Sequence, residues 1–270
     1  MRRARRIAAA VLAMLGALAL CPAAQAEQGV PIDIPSILPP EGWSFVGPFG
    51  RWDQAQLRRG FQVYSETCAG CHSLQHVAYR NLTALGIGFG PEDIKALAAS
   101  SKLEDGPDEN GKMFKRPALP ADRIVPPYPN KEAARAANKG MLPPDLSLIV
   151  KARKGGRAFL FDFLTGYAKP PAGFELRRGM YFNTAVHGEQ TGMAPPLAPD
   201  LVVFEDGTEA SVEQMATDVT AFLTWTADPH LELRKKLGLK VVIFLALLTI
   251  MFIALKREVW AHLHHPRRAV

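Results

Sequence analysis

Two cysteines three positions apart, with a histidine directly after the second, are the residues of this chain best equipped for chemistry: Cys68-Ala69-Gly70-Cys71-His72. Thiols at that spacing, where a helix gives way to a turn, can both reach the vinyl groups on one edge of a porphyrin and form thioethers with it. The next residue, His72, then lies beneath the ring and can offer a nitrogen to the iron, while small Ala69 and Gly70 let the backbone pass close to the macrocycle. Two other chemistries use similar residues. A thioredoxin-like dithiol takes the same cysteines but wants a strand before them and a helix after. Zinc needs two further ligands at paired spacing, and the chain has no second cysteine pair. The spacing favours covalent haem.

A haem held this way usually takes a second axial ligand, and methionine raises the potential of the iron couple. Met113, Met141, Met180 and Met193 are candidates, with His76 and His187 as histidine alternatives. His76 is too near the attachment point to reach the opposite face easily. Met141 and Met193 share a context: each follows a glycine and is succeeded, one residue later, by a proline pair. Proline fixes the backbone and removes a donor, so such a loop is held stiffly over a ring. Met193 also precedes the last helix of the soluble region, an order that favours it, with Met141 as the alternative.

Several elements must position these groups. Trp52 to Thr67 contains no proline and carries Leu57, Phe61, Val63 and Tyr64, so it reads as a helix delivering the chain to Cys68. Residues 100–130 are rich in charge, glycine and proline and are expected to be irregular. Short helical pieces are expected at Lys131 to Lys139, Leu146 to Val150 and Ala158 to Leu164. Ser211 to Trp225 is the strongest helix: Ser211 and Gln214 stand in capping-box spacing, and Val212, Met215, Val219, Phe222 and Leu223 form one apolar stripe. Few strands are expected.

Both ends carry membrane signals. Residues 1–26 read as a secretory signal, with four arginines, an apolar run from Ile7 to Leu20, and Ala24-Gln25-Ala26 for cleavage. Cys21 leaves with it, so no thiol remains to staple distant segments and a disulfide scaffold is excluded. Residues 27–50, with five prolines, suit an extended arm. Leu237 to Leu255 is apolar apart from Gly238, Lys240 and Thr249, nearly enough to cross a hydrocarbon core of about 30 Å. The organisation expected is a signal at 1–26, an exported domain at 27–235, an anchor at 236–256 and a cytoplasmic tail at 257–270.

Charge argues against nucleic acid. The formal charge is +6, but twelve of the 32 basic residues flank the two apolar runs. Between Glu27 and Leu233, 20 basic residues stand against 25 acidic ones, a balance of about −5 that repels phosphate backbones and suits a basic partner. Glu104-Asp105, Asp108-Glu109 and Glu205-Asp206 are candidate docking clusters, or ordinary solvated loop charge.

Longer motifs carry a resemblance. Pro127-Tyr128-Pro129-Asn130, Ala133-Ala134-Arg135-Ala136-Ala137-Asn138, Leu142-Pro143-Pro144-Asp145-Leu146-Ser147, Leu164-Thr165-Gly166-Tyr167, Tyr181-Phe182-Asn183 and Gly192-Met193-Ala194-Pro195-Pro196 occur in that order. Together they resemble the cytochrome c1 family from about residue 40 into the C-terminal anchor. The resemblance implies a mainly α fold: a class I-like c-type cytochrome domain with long loops and one C-terminal transmembrane helix. It implies the haem subunit of a ubiquinol–cytochrome c oxidoreductase, an electron carrier in a bacterial inner membrane with its haem domain in the periplasm. Its partners would be cytochrome b, the Rieske iron–sulfur protein and a soluble c-type cytochrome, in a dimeric complex. One haem c would be held by Cys68 and Cys71, with His72 and Met193 as iron ligands and Arg135 near a propionate. Met141 stands where relatives commonly carry a smaller residue. Some bacterial relatives have an extra disulfide that this chain lacks the cysteines to form. Two alternatives remain: the haem c subunit of a terminal oxidase or reductase, and a membrane-tethered thiol–disulfide oxidoreductase.

Overall fold

The computed structural model describes residues 42–85 and 89–261. The secretory signal, Cys21, most of the proline-rich arm and the last nine residues lie outside the described residues. The described chain is mainly helical, with two small antiparallel hairpins.

The first helix, α1, spans Gln54–Val63. Asp53 caps it, its carboxylate accepting from the N–H groups of Ala55 (2.9 Å) and Gln56 (3.2 Å), which would otherwise lack partners. Leu57, Gly60, Phe61 and Val63 form its buried face. The chain does not stop there but widens into a π-helical turn, Tyr64–Cys68, closed by Ala69 N–H to Tyr64 O at 2.8 Å. Thus a helix does deliver the chain to Cys68, with its last turn wider than an α-helix.

A 3-10 turn covers Tyr79–Leu85 and helix α2 covers Pro91–Ala99. Then comes a hairpin of β1 (Lys102–Asp105) and β2 (Phe114–Pro117), in a stretch expected to be irregular. Neither strand alternates apolar and polar residues. The hairpin is held by charge instead: Glu104 faces Lys115 in the register, and Arg116 pairs with both Asp105 and Asp122. Helices α3 (Lys131–Ala137), α4 (Ile149–Ala152) and α5 (Arg157–Thr165) follow close to their expected positions. A two-residue pairing of β3 (Tyr181–Phe182) with β4 (Gln190–Thr191) precedes the Met193 loop.

Helix α6 (Val212–Ala227) is the centre of the fold. The expectation of a single apolar stripe is too narrow: from Met215 onward nearly every residue is buried, because α1, α4 and α5 all pack against it. At the closest approach Gly60 of α1 lies on the Asp218 carbonyl and Phe222 of α6. A side chain at Gly60 would collide with that main chain, so glycine is required by proximity. Phe61, Tyr64 and Trp225 surround Phe222, with ring centroids 5.6 to 6.0 Å apart. Burial of one such ring stabilises by about 2–3 kcal/mol.

Only half of the expected capping box forms. Ser211 Oγ accepts from Gln214 N–H at 3.1 Å, but the Gln214 amide turns away and donates to the Asp218 carboxylate at 3.0 Å. Asp218 is fully buried and also receives Arg59 of α1 at 2.7 Å, so it draws both side chains inward.

Helix α7 runs from Leu231 to Ala261, 31 residues, longer at both ends than its apolar stretch. It is long and apolar enough to cross a membrane. Its root is fixed to the domain: Glu232 accepts from Trp52 N–H at 2.8 Å, and the Lys235 ammonium donates to the Phe45 carbonyl at 2.6 Å. Arg234 pairs with Asp228 at 2.6 Å across the short link from α6.

Candidate functional site

The cysteine motif emerges from the π turn as a tight reversal, with Cys71 N–H and His72 N–H donating to Cys68 O at 3.1 and 2.9 Å. Cys68 is buried and Cys71 exposed. Burial, reinforced by neighbouring Cys71, pushes the Cys68 thiol up to about 12. A thiol–disulfide enzyme needs the opposite, a thiolate stabilised near neutral pH. The element before the motif is also a helix, not a strand. Both features run against a dithiol enzyme.

His72 is the most constrained member. Its ring is buried, and Nδ1 lies 2.8 Å from the carbonyl oxygen of Pro144. A carbonyl can only accept, so Nδ1 carries the proton and Nε2 is left with its lone pair. Burial also pushes the imidazole below its ordinary value, outweighing the hydrogen bond to Pro144 and the charge of Asp145, and so favours this neutral form. From the other side, buried Tyr64 donates its hydroxyl to the His72 carbonyl at 3.0 Å. An imidazole held in one tautomer by a main-chain carbonyl is the usual state of a metal-bound histidine.

Asp145 joins the two chain segments of this arrangement, a role the sequence reading missed. Its carboxylate accepts from Ser73 Oγ (2.8 Å), Gln75 N–H (2.8 Å) and Ser147 N–H (2.9 Å). Burial raises its pKa, but these bonds together hold it below the usual carboxylate range. Ser147 extends the seam, accepting from His76 N–H at its hydroxyl and from Thr226 of α6 at its carbonyl. The only available sequence signal was an acid directly after Pro143-Pro144, flanked by apolar residues.

Met193 lies half-buried in the loop after β4. Tyr167 donates its hydroxyl to the Met193 carbonyl at 3.1 Å, and Met193 N–H donates to Thr191 Oγ1 at 3.3 Å. The Met141 thioether rests on Gly192, the residue just before it. Met113 lies between the strands of the first hairpin and His187 is exposed in the turn between β3 and β4. Arg135 is exposed on α3 and donates to the Gly140 carbonyl at 3.1 Å. The stretch 141–144 therefore reaches the His72 ring at one end and the Met193 loop at the other.

These residues fit a c-type haem. Paired thiols stand beside a buried imidazole with a free lone pair, and Gly70 between them has nothing within 4 Å of where a Cβ would be. The candidate docking acids are mostly occupied within the fold. Glu205 pairs with Arg58 and Asp206 with Arg59, both at 2.6 Å, and Asp108 accepts from the N–H groups of Asn110 and Lys112.

The chain matches known haem proteins over most of its length. Residues 43–263 match the model of the Cytochrome C1 family. The chain is 46% identical over 264 residues to cytochrome c1 of Rhodospirillum rubrum, covering 92% of this chain and 94% of that one. It is 50% identical over 224 residues to the mitochondrial cytochrome c1 heme protein of Saccharomyces cerevisiae, covering 83% of this chain and 72% of that one. A longer protein of Bradyrhizobium diazoefficiens, cytochrome b/c1, is 44% identical over 246 residues, which cover 84% of this chain and 36% of that one.

Proposed function

The chain belongs to the cytochrome c1 family and serves electron transfer as the haem subunit of a cytochrome bc1 complex; from that premise we propose that Cys68 and Cys71 hold one haem c through two thioethers, with His72 and Met193 as its iron ligands. Bound there, the haem supplies a one-electron couple between ferric and ferrous iron. The protein breaks no bonds of its own and sets the environment of that couple. Pro144 orients the His72 imidazole and fixes its tautomer, while burial keeps the ring neutral, so that Nε2 would be available to iron. The soft thioether of Met193 favours the ferrous state and raises the potential. Tyr167 and Thr191 hold the Met193 main chain in place. Arg135 is assigned to a haem propionate, whose carboxylate its planar guanidinium suits.

In this reading the subunit takes an electron from a Rieske iron–sulfur protein and passes it to a soluble c-type cytochrome, beside cytochrome b in a dimeric complex. Helix α7 anchors it in the bacterial inner membrane with the haem domain on the periplasmic side, 27–235 being that domain and 236–256 the anchor.

The observation that carries the proposal is the buried His72 ring with Nδ1 fixed by Pro144, directly after two thiols. The test is to express the full chain in a host that matures c-type haems. The pigment is expected to stay on the polypeptide through denaturation and acid–acetone extraction, and the chain to copurify with cytochrome b and an iron–sulfur protein. A colourless chain, or copurification with a terminal oxidase instead, overturns it.

A further inference from the structure

Met141 lies at the joint between the end of helix α3 and the Met193 loop. Helix α3 ends in a left-handed pair, Lys139 at φ 53° and Gly140 at φ 85°. Three bonds make that turn stiff: Gly140 N–H to Arg135 O at 2.8 Å, Met141 N–H to Asn138 O at 3.0 Å, and Arg135 Nη1 to Gly140 O at 3.1 Å. Pro143 and Pro144 stiffen the chain on the other side. Met141 is thus delivered from a rigid corner, and its Sδ and Cε occupy the space that a Cβ on Gly192 would need. Gly192 immediately precedes Met193. The Met193 main chain is already tied on its other side by Tyr167 and Thr191.

Resting on the reading of Met193 as an iron ligand, we infer that Met141 is a positioning residue: its side chain seats on Gly192 and clamps the Met193 loop in place. What the task asks for is bulk over Gly192, which the Met141 side chain supplies. Glycine at 192 is the matching half, since any side chain there would displace the thioether. The clamp and the His72 tether belong to one short segment, because Pro144 lies three residues after Met141. Spacing between the two predicted ligands is therefore set by residues 141–144.

The test uses the full chain in its membrane complex, with haem matured, and reads the redox potential and carbon monoxide binding to the ferrous protein. Met141→Ala is expected to admit carbon monoxide and to lower the potential by less than Met193→Leu does. Met141→Leu, which restores bulk without sulfur, is expected to return both readouts to those of the parent. Gly192→Ala is expected to admit carbon monoxide as well, and the double variant Met141→Ala with Gly192→Ala to bind less of it than Gly192→Ala alone. Parent-like behaviour of Met141→Ala beside an altered Met193→Leu overturns the clamp and leaves the ligand assignment standing. An unaltered Met193→Leu overturns both. Failure of Met141→Leu to restore the parent readouts also overturns the clamp, because sulfur and not bulk would then be what matters.

Discussion

The carbonyl oxygen of Pro144 accepts a hydrogen bond from Nδ1 of His72 at 2.8 Å, across 72 residues of chain. Proline is well chosen for that partner. Its locked φ stiffens the main chain that presents the carbonyl to the ring. The bond decides which nitrogen of the ring is basic, and hence which one can meet a metal.

Asp145 should matter to this geometry more than its position suggests. Asp145→Ala leaves Ser73 Oγ and the N–H groups of Gln75 and Ser147 without their acceptor. A loss of about 2–4 kcal/mol in urea denaturation of the holoprotein is expected, with Asp145→Asn losing less. Equal stability of all three proteins would show that the seam between 73–76 and 145–147 is held by something else.

Met193→Leu removes the proposed thioether ligand while keeping volume. The expected results are a sharp fall in potential and the appearance of carbon monoxide binding to the ferrous protein, read by redox titration and difference spectroscopy. An unchanged spectrum would move the assignment to Met141.

Gly60→Ala places a methyl group against the Asp218 carbonyl and the Phe222 side chain, at the tightest point of the α1–α6 crossing. Neither can give way easily, since both belong to the buried central helix. Destabilisation of about 1–3 kcal/mol or more is expected from equilibrium unfolding. A neutral effect would mean that the two helices can separate at no cost.

Asp206 gives a pH dependence of known sign. Thr208 N–H and the Arg59 guanidinium hold its carboxyl down to about 2, below the ordinary carboxylate value near 4. A depressed acid contributes stability that is fully present above its unfolded value and is lost as pH falls through its folded one. Stability of the parent should therefore drop more steeply than that of Asp206→Asn between about pH 4 and pH 2. Parallel acid-unfolding curves, followed by circular dichroism, would contradict this.

How far these features were legible depended on whether the cause was local. The helix entering Cys68 and the helix beginning after Ser211 follow from apolar spacing and caps, which neighbouring residues supply. Helix α2 was overlooked although its start is marked: Pro91 stands at the first helical position and Asp93 accepts from Gly90 N–H at 2.8 Å. The 102–117 hairpin had no such marking, because Arg116 and its two aspartates replace the usual apolar alternation. Of the proposed site, Cys68, Cys71, His72 and Met193 stand out in the sequence as residue types at telling positions. The contacts that orient them do not, since Pro144, Asp145, Tyr167 and Met141 act through folds of the chain 25 to 75 positions away that no spacing encodes.

The root of α7 has a mechanical consequence. Glu232 and Lys235 bind the main chain of the 45–52 segment on one side, and three residues alone separate α7 from the central helix on the other. The cytochrome thus stands on its stalk without a swivel joint. Tilting the domain therefore means tilting the upper part of α7 with it.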